Sequence, residues 1–175
     1  MRTGTRHRKT RKVGETNVCE YCGCQSLAAI DELTREHEEV VHLIGHLHAA
    51  RQKGDVPRMA EHAREIATVL GPHTEVEEHG LFPALFGDFP EQIAALEAEH
   101  RRISSVLAEA AGGVTPTDPA WPDRLIRAMA MLRDHILKEQ DGVFPAALAN
   151  LSIEQWEAVE AVRAGAGGVL PRPAG

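Results

Sequence analysis

Cysteine is scarce in this chain of 175 residues and is absent beyond position 24. Cys19, Cys22 and Cys24 lie close together near the N-terminus, so no disulfide staples the rest of the chain. Aromatic residues make up only 4% of the chain, which argues against the aromatic and β-branched strands of a sandwich or barrel. The sequence therefore predicts a helical domain held together by an aliphatic core.

Long hydrophobic runs are also missing. No apolar stretch approaches the roughly eighteen residues that span a bilayer, and the N-terminus lacks the apolar segment of a secretory signal. We therefore expect a cytoplasmic protein with no membrane partner. No flavin, nicotinamide or rubredoxin-like motif is present, so an enzymatic cycle would need an external electron donor. The single tyrosine, Tyr21, lies outside the predicted domain, which gives no support to radical chemistry on a core tyrosine.

Charge is distributed unevenly along the chain. The net charge is −7, yet six of the nineteen basic residues fall within the first twelve positions. The remainder is strongly acidic and would repel phosphate. We therefore interpret the basic tail as solvated and do not expect nucleic acid as a partner.

Four long segments have apolar residues at spacings of three and four, as amphipathic helices do. The first runs from a predicted cap at Ser26 to about Lys53, the second starts near Asp55 and the third near Pro90. The fourth runs over about 120–141, and a short fifth helix follows. This order predicts an all-α fold, an up-down-up-down four-helix bundle with a short C-terminal helix.

Local signals refine these boundaries. Ser152 and Gln155 have the spacing of a capping box at the start of the fifth helix. Gly71 and Pro72 interrupt the second helix and predict a kink just before His73. The expected organisation is a basic tail with a cysteine-rich motif, then the bundle, then a flexible tail, over residues 1–25, 26–164 and 165–175.

The predicted bundle contains an internal repeat. Its two copies are residues 73–83 (HTEVEEHGLFP) and residues 135–145 (HILKEQDGVFP), which share His, Glu, Gly, Phe and Pro in register. The preceding helices match as well, because residues 33–40 resemble residues 96–103. Two helical hairpins related by a pseudo-two-fold axis are therefore expected.

Each of the four helical stripes contains one histidine. Counted from the predicted turns at about 1.5 Å per residue, all four lie at one level of the bundle. A glutamate follows one turn after the second histidine and another follows one turn after the fourth. The expected metal ligands are His37, His73, Glu77, His100, His135 and Glu139.

The alternative is a set of satisfied core histidines with partly exposed glutamates. Burying all six groups without a cation would leave polar atoms and charges unpaired at several kcal/mol each. Mixed imidazole and carboxylate ligands favour iron over manganese or zinc, and disfavour calcium and magnesium. A ferritin-like di-iron bundle needs Glu-x2-His on two helices, whereas only Glu97 and His100 have that spacing here.

From about residue 27 to residue 151 the sequence resembles the hemerythrin-like, or HHE cation-binding, domain. The resemblance rests on the repeated motifs that begin at His73 and His135 and on the single helix histidines His37 and His100. It implies that these four histidines are terminal ligands of two non-haem iron ions.

The same resemblance implies that Glu77 and Glu139 bridge the two irons together with an oxo or hydroxo group. Oxygen-carrying hemerythrins have a fifth histidine at the position where this sequence has Ser104. The ligand set is therefore closer to the symmetrical centres of the iron-centre repair proteins and related bacterial forms.

Several functions remain open at this stage. With two histidines each, two shared carboxylates and a solvent bridge, each iron is five-coordinate and has an open position. Such a centre suits reaction with nitric oxide, oxygen or peroxide under redox or nitrosative stress, more than reversible oxygen capture at one metal. The alternatives are a non-catalytic oxygen, redox or iron sensor or store, and an iron donor for the repair of iron-sulfur centres.

Other polar residues near the predicted centre are interpreted separately. Three glutamates either orient the ligand rings or form solvent-facing salt bridges, namely Glu36, Glu78 and Glu99. The remaining helix histidines are expected on the surface or at the edge of the core, namely His42, His46, His48, His62 and His79.

The motif Cys19-x2-Cys22-x-Cys24 allows three interpretations. It is a redox switch or electron relay with a Cys19 to Cys22 disulfide, a metal or iron-sulfur site that is one thiolate short, or a set of reduced thiols. Because every cysteine of the chain lies in this cluster, we favour redox thiols.

Overall fold

The computed structural model describes residues 23–113, 115–168 and 170, and all regular secondary structure within them is helical. The α-helices are α1 (Gly23–Gln52), α2 (Val56–Val76), α3 (Phe82–Leu85), α4 (Pro90–Ala108), α5 (Trp121–Lys138), α6 (Phe144–Asn150) and α7 (Ile153–Ala166). Single π-helical turns, Glu77–Leu81 and Glu139–Val143, join α2 to α3 and α5 to α6 without a break. The chain thus forms four long helices and a short C-terminal one, which confirms the predicted all-α class.

The helix starts follow from local hydrogen bonding. The Asp55 carboxylate accepts a hydrogen bond from the Arg58 backbone N–H at 3.0 Å and caps α2, as predicted. Ser152 and Gln155 form both bonds of the predicted capping box on α7. The prediction for α1 was wrong by one turn, since this helix already begins at Gly23 and includes Ser26.

Sequential helices pack as antiparallel hairpins, α1 against α2 and α4 against α5, and α7 packs against α1 and α2. Their apolar faces form two buried clusters. One contains Ile44, Ile66 and Leu125, and the other contains Leu33 and Phe82. Along each long helix, a short buried polar segment separates residues of one cluster from residues of the other. The bundle therefore encloses one polar layer between two apolar layers.

The second helix does not stop where the sequence predicts an interruption. α2 runs unbroken through Gly71 and Pro72 to Val76. A proline inside a helix removes one backbone donor. Two residues after Pro72, the Thr74 hydroxyl donates a hydrogen bond to the Leu70 carbonyl at 2.8 Å. This bond ties a side chain to the helix backbone close to the proline.

The helical irregularities occur instead at the two π-turns, each of which begins at a glutamate of the repeat. The Phe82 N–H donates to the Glu77 carbonyl and the Phe144 N–H donates to the Glu139 carbonyl, so each bond spans five residues. The fourth helix therefore continues through residue 141, its predicted end, to Asn150. A π-turn adds a residue to the helical register and redirects the side chains that follow it. Turns of this kind are frequent at functional sites.

The two π-turn glycines predict different responses to alanine. A Cβ at Gly80 would lie 3.3 Å from Val159 Cα of α7, whereas a Cβ at Gly142 meets no atom within 4 Å. Alanine usually stabilises a helical glycine site by about 0.5–1 kcal/mol, and overpacking offsets that gain. We expect Gly80→Ala to be less stable than Gly142→Ala by about 1 kcal/mol in urea unfolding. Equal free energies of unfolding would contradict close packing of α7 on this turn.

In the part of the chain that the structure describes, no helix combines the length and apolarity needed to cross a membrane. The basic tail, Cys19 and Cys22 lie outside the described residues, and Cys24 belongs to the first turn of α1. The expected domain boundaries at residues 26 and 164 stay predictions.

Candidate metal centre

The polar layer contains two pairs of histidines, one from each helical hairpin. His37 of α1 and His73 of α2 have ring centroids 4.6 Å apart, and His100 of α4 and His135 of α5 have ring centroids 4.5 Å apart. All four rings are buried. The structure thus brings together the four histidines that the sequence places at one level.

Two glutamates lie between these histidine pairs. Oε1 of Glu77 is 3.3 Å from His73 Nε2, and its Oε2 is 3.5 Å from His100 Nε2. Oε2 of Glu139 is 3.1 Å from His37 Nε2, and its Oε1 is 2.7 Å from His135 Nε2. Each carboxylate therefore directs one oxygen towards each histidine pair, as a carboxylate that bridges two cations must.

The ligand atoms form two groups with the geometry to hold a metal ion. His37 and His73 belong to one group, His100 and His135 belong to the other, and Glu77 and Glu139 belong to both. Within each group the ligand atoms all lie within 4.8 Å of one another. The six residues predicted as ligands are thus the six that converge.

Hydrogen bonds leave six buried atoms of this layer unsatisfied. Both carboxylate oxygens of Glu77, both of Glu139 and both ring nitrogens of His37 make no hydrogen bond of normal geometry among the described residues, although several of these atoms lie within ion-pair distance of one another. Unpaired buried groups of this kind cost on the order of 1–3 kcal/mol each. Imidazole nitrogens and carboxylate oxygens are ligands of transition metals, so the donor set fits the cations that the sequence predicts.

Three of the rings are oriented by further glutamates. Nδ1 of His73 lies 2.8 Å from the Glu36 carboxylate, Nδ1 of His100 lies 2.8 Å from Glu78, and Nδ1 of His135 lies 2.9 Å from Glu99. A ring that donates through Nδ1 keeps its Nε2 lone pair for a metal. The structure thus shows a ring-orienting contact for all three glutamates, and Glu99 also forms the alternative ion pair with a half-exposed Lys138 side chain.

Two basic residues neutralise part of this acidic surrounding. Arg163 of α7, only 2% exposed, donates from Nη1 and Nη2 to the two oxygens of Glu36, at 2.8 and 3.0 Å. Lys138 donates to Glu99 from a side chain that is half exposed. Arg163 and Lys138 were not among the residues singled out from the sequence. No spacing signal links Arg163 to the centre, because it lies on the additional C-terminal helix.

The phenylalanines of the repeat stack on two of the four ligand rings. Phe144 stacks on His37 with ring centroids 5.5 Å apart, and Phe82 stacks on His100 at 5.8 Å. Each phenylalanine follows a π-turn and reaches a histidine of the opposite hairpin. The shared phenylalanine of the repeat thus forms an apolar wall of the centre, a role that the two copies of the sequence alone did not reveal.

The surrounding charges shift the pKa values of the ligands. Burial lowers the pKa of His73, but the carboxylates of Glu77 and Glu36 outweigh it and raise this pKa to about 10. The pKa of His135 is also raised, because Glu139 outweighs the effect of burial. Burial acts to raise the pKa of Glu139, yet the contacts of its carboxylate with His100 and His135 hold it well below its ordinary value. Without metal, the protonated ring of His73 and the carboxylates beside it therefore neutralise one another.

This charge state predicts opposite pH responses with and without metal. Because the pKa of His73 rises from 6.5 to about 10 on folding, its protonation stabilises the metal-free protein below pH 6.5 and is lost as the pH rises towards 10. A metal requires neutral rings, so its binding releases protons and strengthens over the same interval. We expect the Tm of the metal-free protein to fall from pH 6.5 to 10 and the stabilisation by anaerobically added Fe²⁺ to grow. If the Tm of the metal-free protein and the Tm of the Fe²⁺-loaded protein changed in parallel with pH, this prediction would be wrong.

A small cavity, ≈ 10 Å³, adjoins the four histidines and has room for about one water-sized molecule. Leu70, Ile103 and Leu132 form its apolar wall, and Thr74 and Ser104 complete it. Thr74 is half-buried and Ser104 is exposed, so the cavity reaches the surface between α2 and α4.

The other five histidines of the described residues lie outside this centre. His42, His46 and His79 are exposed, and His48 and His62 are partly buried at the edge of the bundle. These positions agree with their predicted place on the surface or at the edge of the core.

The fold and the centre together define a helical-bundle protein with a buried histidine and glutamate site for metal ions. The family model described as the hemerythrin HHE cation-binding domain matches residues 28–147, and the chain belongs to this family.

One curated relative is a protein named "DNA nickase" from Nostoc sp. (strain PCC 7120 / SAG 25.82 / UTEX 2576), which is 26% identical over 133 residues. The match covers 76% of this chain but 37% of that relative, so the chain spans little more than a third of the relative's length. No solved structure matches this chain.

Proposed function

We propose that this protein holds two non-haem iron ions and reacts through them with nitric oxide, oxygen or peroxide under redox or nitrosative stress. The observation that carries the proposal is the pair of four-residue groups that share Glu77 and Glu139. His37 and His73 would hold one iron and His100 and His135 the other, with the shared carboxylates bridging them. When bound, the irons supply the capacity to bind a small ligand and to exchange electrons with it.

The residues of the chain have defined roles in this proposal. Glu36, Glu78 and Glu99 fix the orientation and tautomer of their rings. The stacked phenylalanines and the two apolar clusters exclude bulk water from both sides of the polar layer. The cavity beside Ser104 restricts access to small molecules and supplies no additional imidazole.

A direct experiment tests the proposal. The protein is purified anaerobically, its iron content is measured, and absorption spectra are recorded before and after addition of oxygen, nitric oxide or peroxide. We expect two irons per chain and consumption of nitric oxide or peroxide when an external electron donor is supplied. Less than one iron per chain, with zinc in its place, would refute the proposed centre. Reversible oxygen binding without turnover or iron loss would refute the proposed reactivity.

The same experiment separates the alternatives. Ligand binding without turnover would identify a sensor or store, and transfer of iron to an apo iron-sulfur protein would identify an iron donor. DNA nicking belongs to the name of the much longer relative, and the acidic charge of this chain beyond its basic tail does not favour a nucleic-acid substrate. We therefore do not carry that activity over.

Access beside Ser104 gives a separate prediction. Because this exposed residue lines the cavity of the centre, Ser104→Phe is expected to slow nitric oxide binding several-fold while leaving the iron content unchanged. Ser105→Phe is the matched control, since Ser105 lines a different surface groove with Arg101 and Arg102. Stopped-flow absorption measures both rates. Equal rates for the two variants would show that ligands reach the centre by another route.

We also propose that Cys19, Cys22 and Cys24 act as redox thiols in the same response. The supporting observation is their clustering in the sequence, close to the start of the bundle. Thiol titration and mass analysis after peroxide treatment test the proposal, and three free thiols throughout would refute it.

A further inference from the structure

The ring partners around the centre are not symmetrical, although the ligands are. His73, His100 and His135 each have a glutamate at Nδ1, whereas Nδ1 of His37 is buried and has no hydrogen-bond partner among the residues that the structure describes. His37, the ring without such a partner, lies on the hairpin formed by α1 and α2. The His37 and His73 pair thus has one ring-orienting carboxylate, and the His100 and His135 pair has two.

The sequence repeat contains the origin of this difference. Glu78, which contacts His100, directly follows the shared ligand Glu77. At the matching position after Glu139 the chain has Gln140, which is half-buried like Glu78. A neutral amide therefore replaces the carboxylate that pseudo-symmetry would direct towards His37.

The basic residues that pair with these glutamates add to the difference in charge around the two histidine pairs. Glu36, on the His73 side, is paired with a buried guanidinium that contacts both of its oxygens. Glu99, on the His135 side, is paired with the ammonium group of Lys138, which water reaches. The first pair thus has a surrounding formal charge of zero, and the second pair, with Glu78 added, has a charge of minus one.

A carboxylate at Nδ1 makes an imidazole a stronger ligand and fixes its orientation, and losing such a partner typically costs about 10–100-fold in metal affinity. We propose that the two metal positions are unequal: the His100 and His135 position holds its ion tightly, and the His37 and His73 position exchanges it. This inference rests on the proposed two-iron centre. It assigns Glu78 and Gln140 as positioning residues that set the difference.

Iron release tests the inference. Protein loaded anaerobically with two Fe²⁺ per chain is mixed with an excess of bipyridine, and the absorbance of the ferrous chelate is followed. We expect two phases of equal amplitude whose rates differ on the order of tenfold. Fewer than two irons after loading would count against the proposed function itself. Two irons released in a single phase would overturn only the inequality.

Substitutions at Gln140 and Glu78 identify which metal position gives rise to which phase of iron release. Gln140→Glu should slow the fast phase alone, because it offers a carboxylate to His37. Glu78→Gln should accelerate the slow phase alone, because His100 loses its acceptor. Glu75→Gln is the matched control, since Glu75 is exposed on the same helix and pairs with His79. If the variants shift both phases equally, or if the control behaves like Glu78→Gln, the assignment is wrong.

A different observation concerns the outside of the bundle. His42 and His46 lie one turn apart on α1, with ring centroids 4.3 Å apart, and His62 of α2 has its ring centroid 5.5 Å from that of His46. The Glu65 carboxylate lies 2.7 Å from Nδ1 of His62, which leaves Nε2 of this ring free. Three imidazoles from two helices thus lie near one another on one surface, and His46 is about 13 Å along α1 from His37.

We infer that these three histidines form a second, surface site for a divalent transition-metal ion of the zinc, copper or nickel type. Imidazole is a preferred ligand of these ions, and two histidines spaced four apart project from one helix face. His42 and His46 are exposed, so their rings are free to turn towards a common ion. Glu65 holds the third ring in place, as second partners of metal-bound histidines do.

Calorimetric titration of the iron-loaded protein with Zn²⁺ tests this site. We expect a Zn²⁺-binding step whose affinity falls on the order of tenfold in both His46→Gln and His62→Gln. His79→Gln is the control, because His79 is exposed elsewhere on the bundle. Unchanged binding by His62→Gln would overturn the three-histidine site, and so would an equal loss in the control.

Discussion

Glu139→Gln is expected to lower the metal content of the protein from the two ions per chain that we propose to one at most. The two oxygens of Glu139 face different histidine pairs, at 3.1 Å from His37 Nε2 and 2.7 Å from His135 Nε2. Glutamine keeps the size of the side chain but removes its charge and provides a single oxygen. It therefore cannot bridge two cations or neutralise them, while the packing around it is preserved.

Metal analysis after anaerobic loading and desalting measures this effect, and circular dichroism verifies that the helices remain. Asp141→Asn is the matched control, because Asp141 belongs to the same π-turn but is exposed. We expect the control to keep two ions per chain. Two tightly held ions in Glu139→Gln would exclude Glu139 as a bridging ligand.

The second large effect is expected from Arg163→Met. Glu36 is buried, and Arg163 contacts both of its oxygens from α7. The pKa of Glu36 stays below its ordinary value despite burial, because His73 and Arg163 stabilise its charge. Removing Arg163 leaves the buried Glu36 carboxylate with the His73 ring as its remaining partner, so we expect a loss of about 3 kcal/mol in the free energy of unfolding, at the low end of the range for a broken buried ion pair.

Urea unfolding of the metal-free protein measures this loss. The double variant Glu36→Gln with Arg163→Met should recover part of the stability, since no buried charge is then left alone. Arg133→Met is the control, because Arg133 is exposed on α5. A loss below about 1 kcal/mol for Arg163→Met, the range of an exposed ion pair, would contradict a structural role for this contact.

The candidate ligands could be predicted because they obey the helical period. Each ligand histidine lies on the apolar stripe of its helix, and Glu77 and Glu139 follow one turn after a histidine. The repeat places equal numbers of residues between ligands and turns, so the depth of each ligand follows from the rise of the helix. These are local properties, and the structure brings the same six residues together.

The partners of the ligands could not be predicted in the same way. Glu36 precedes His37 in the sequence, yet it orients His73 on the neighbouring helix. Arg163 lies 127 residues from the carboxylate that it neutralises. Such contacts depend on helix rotation and docking, which spacing within one helix does not define. The π-turns were also missed, because they are a register change that the apolar pattern does not reveal.

The sequence by itself determined the helical class, the repeat and the six candidate ligands, because all three depend on periodicity within single helices. Only the tertiary structure decided which glutamate supports which ring, that α7 seals the first pair through Arg163, and that Nδ1 of His37 is left without a partner. The physical reason is that these contacts join helices far apart in the chain. Their energies depend on burial and on distances of a few ångströms between side chains, which exist only once the helices have packed.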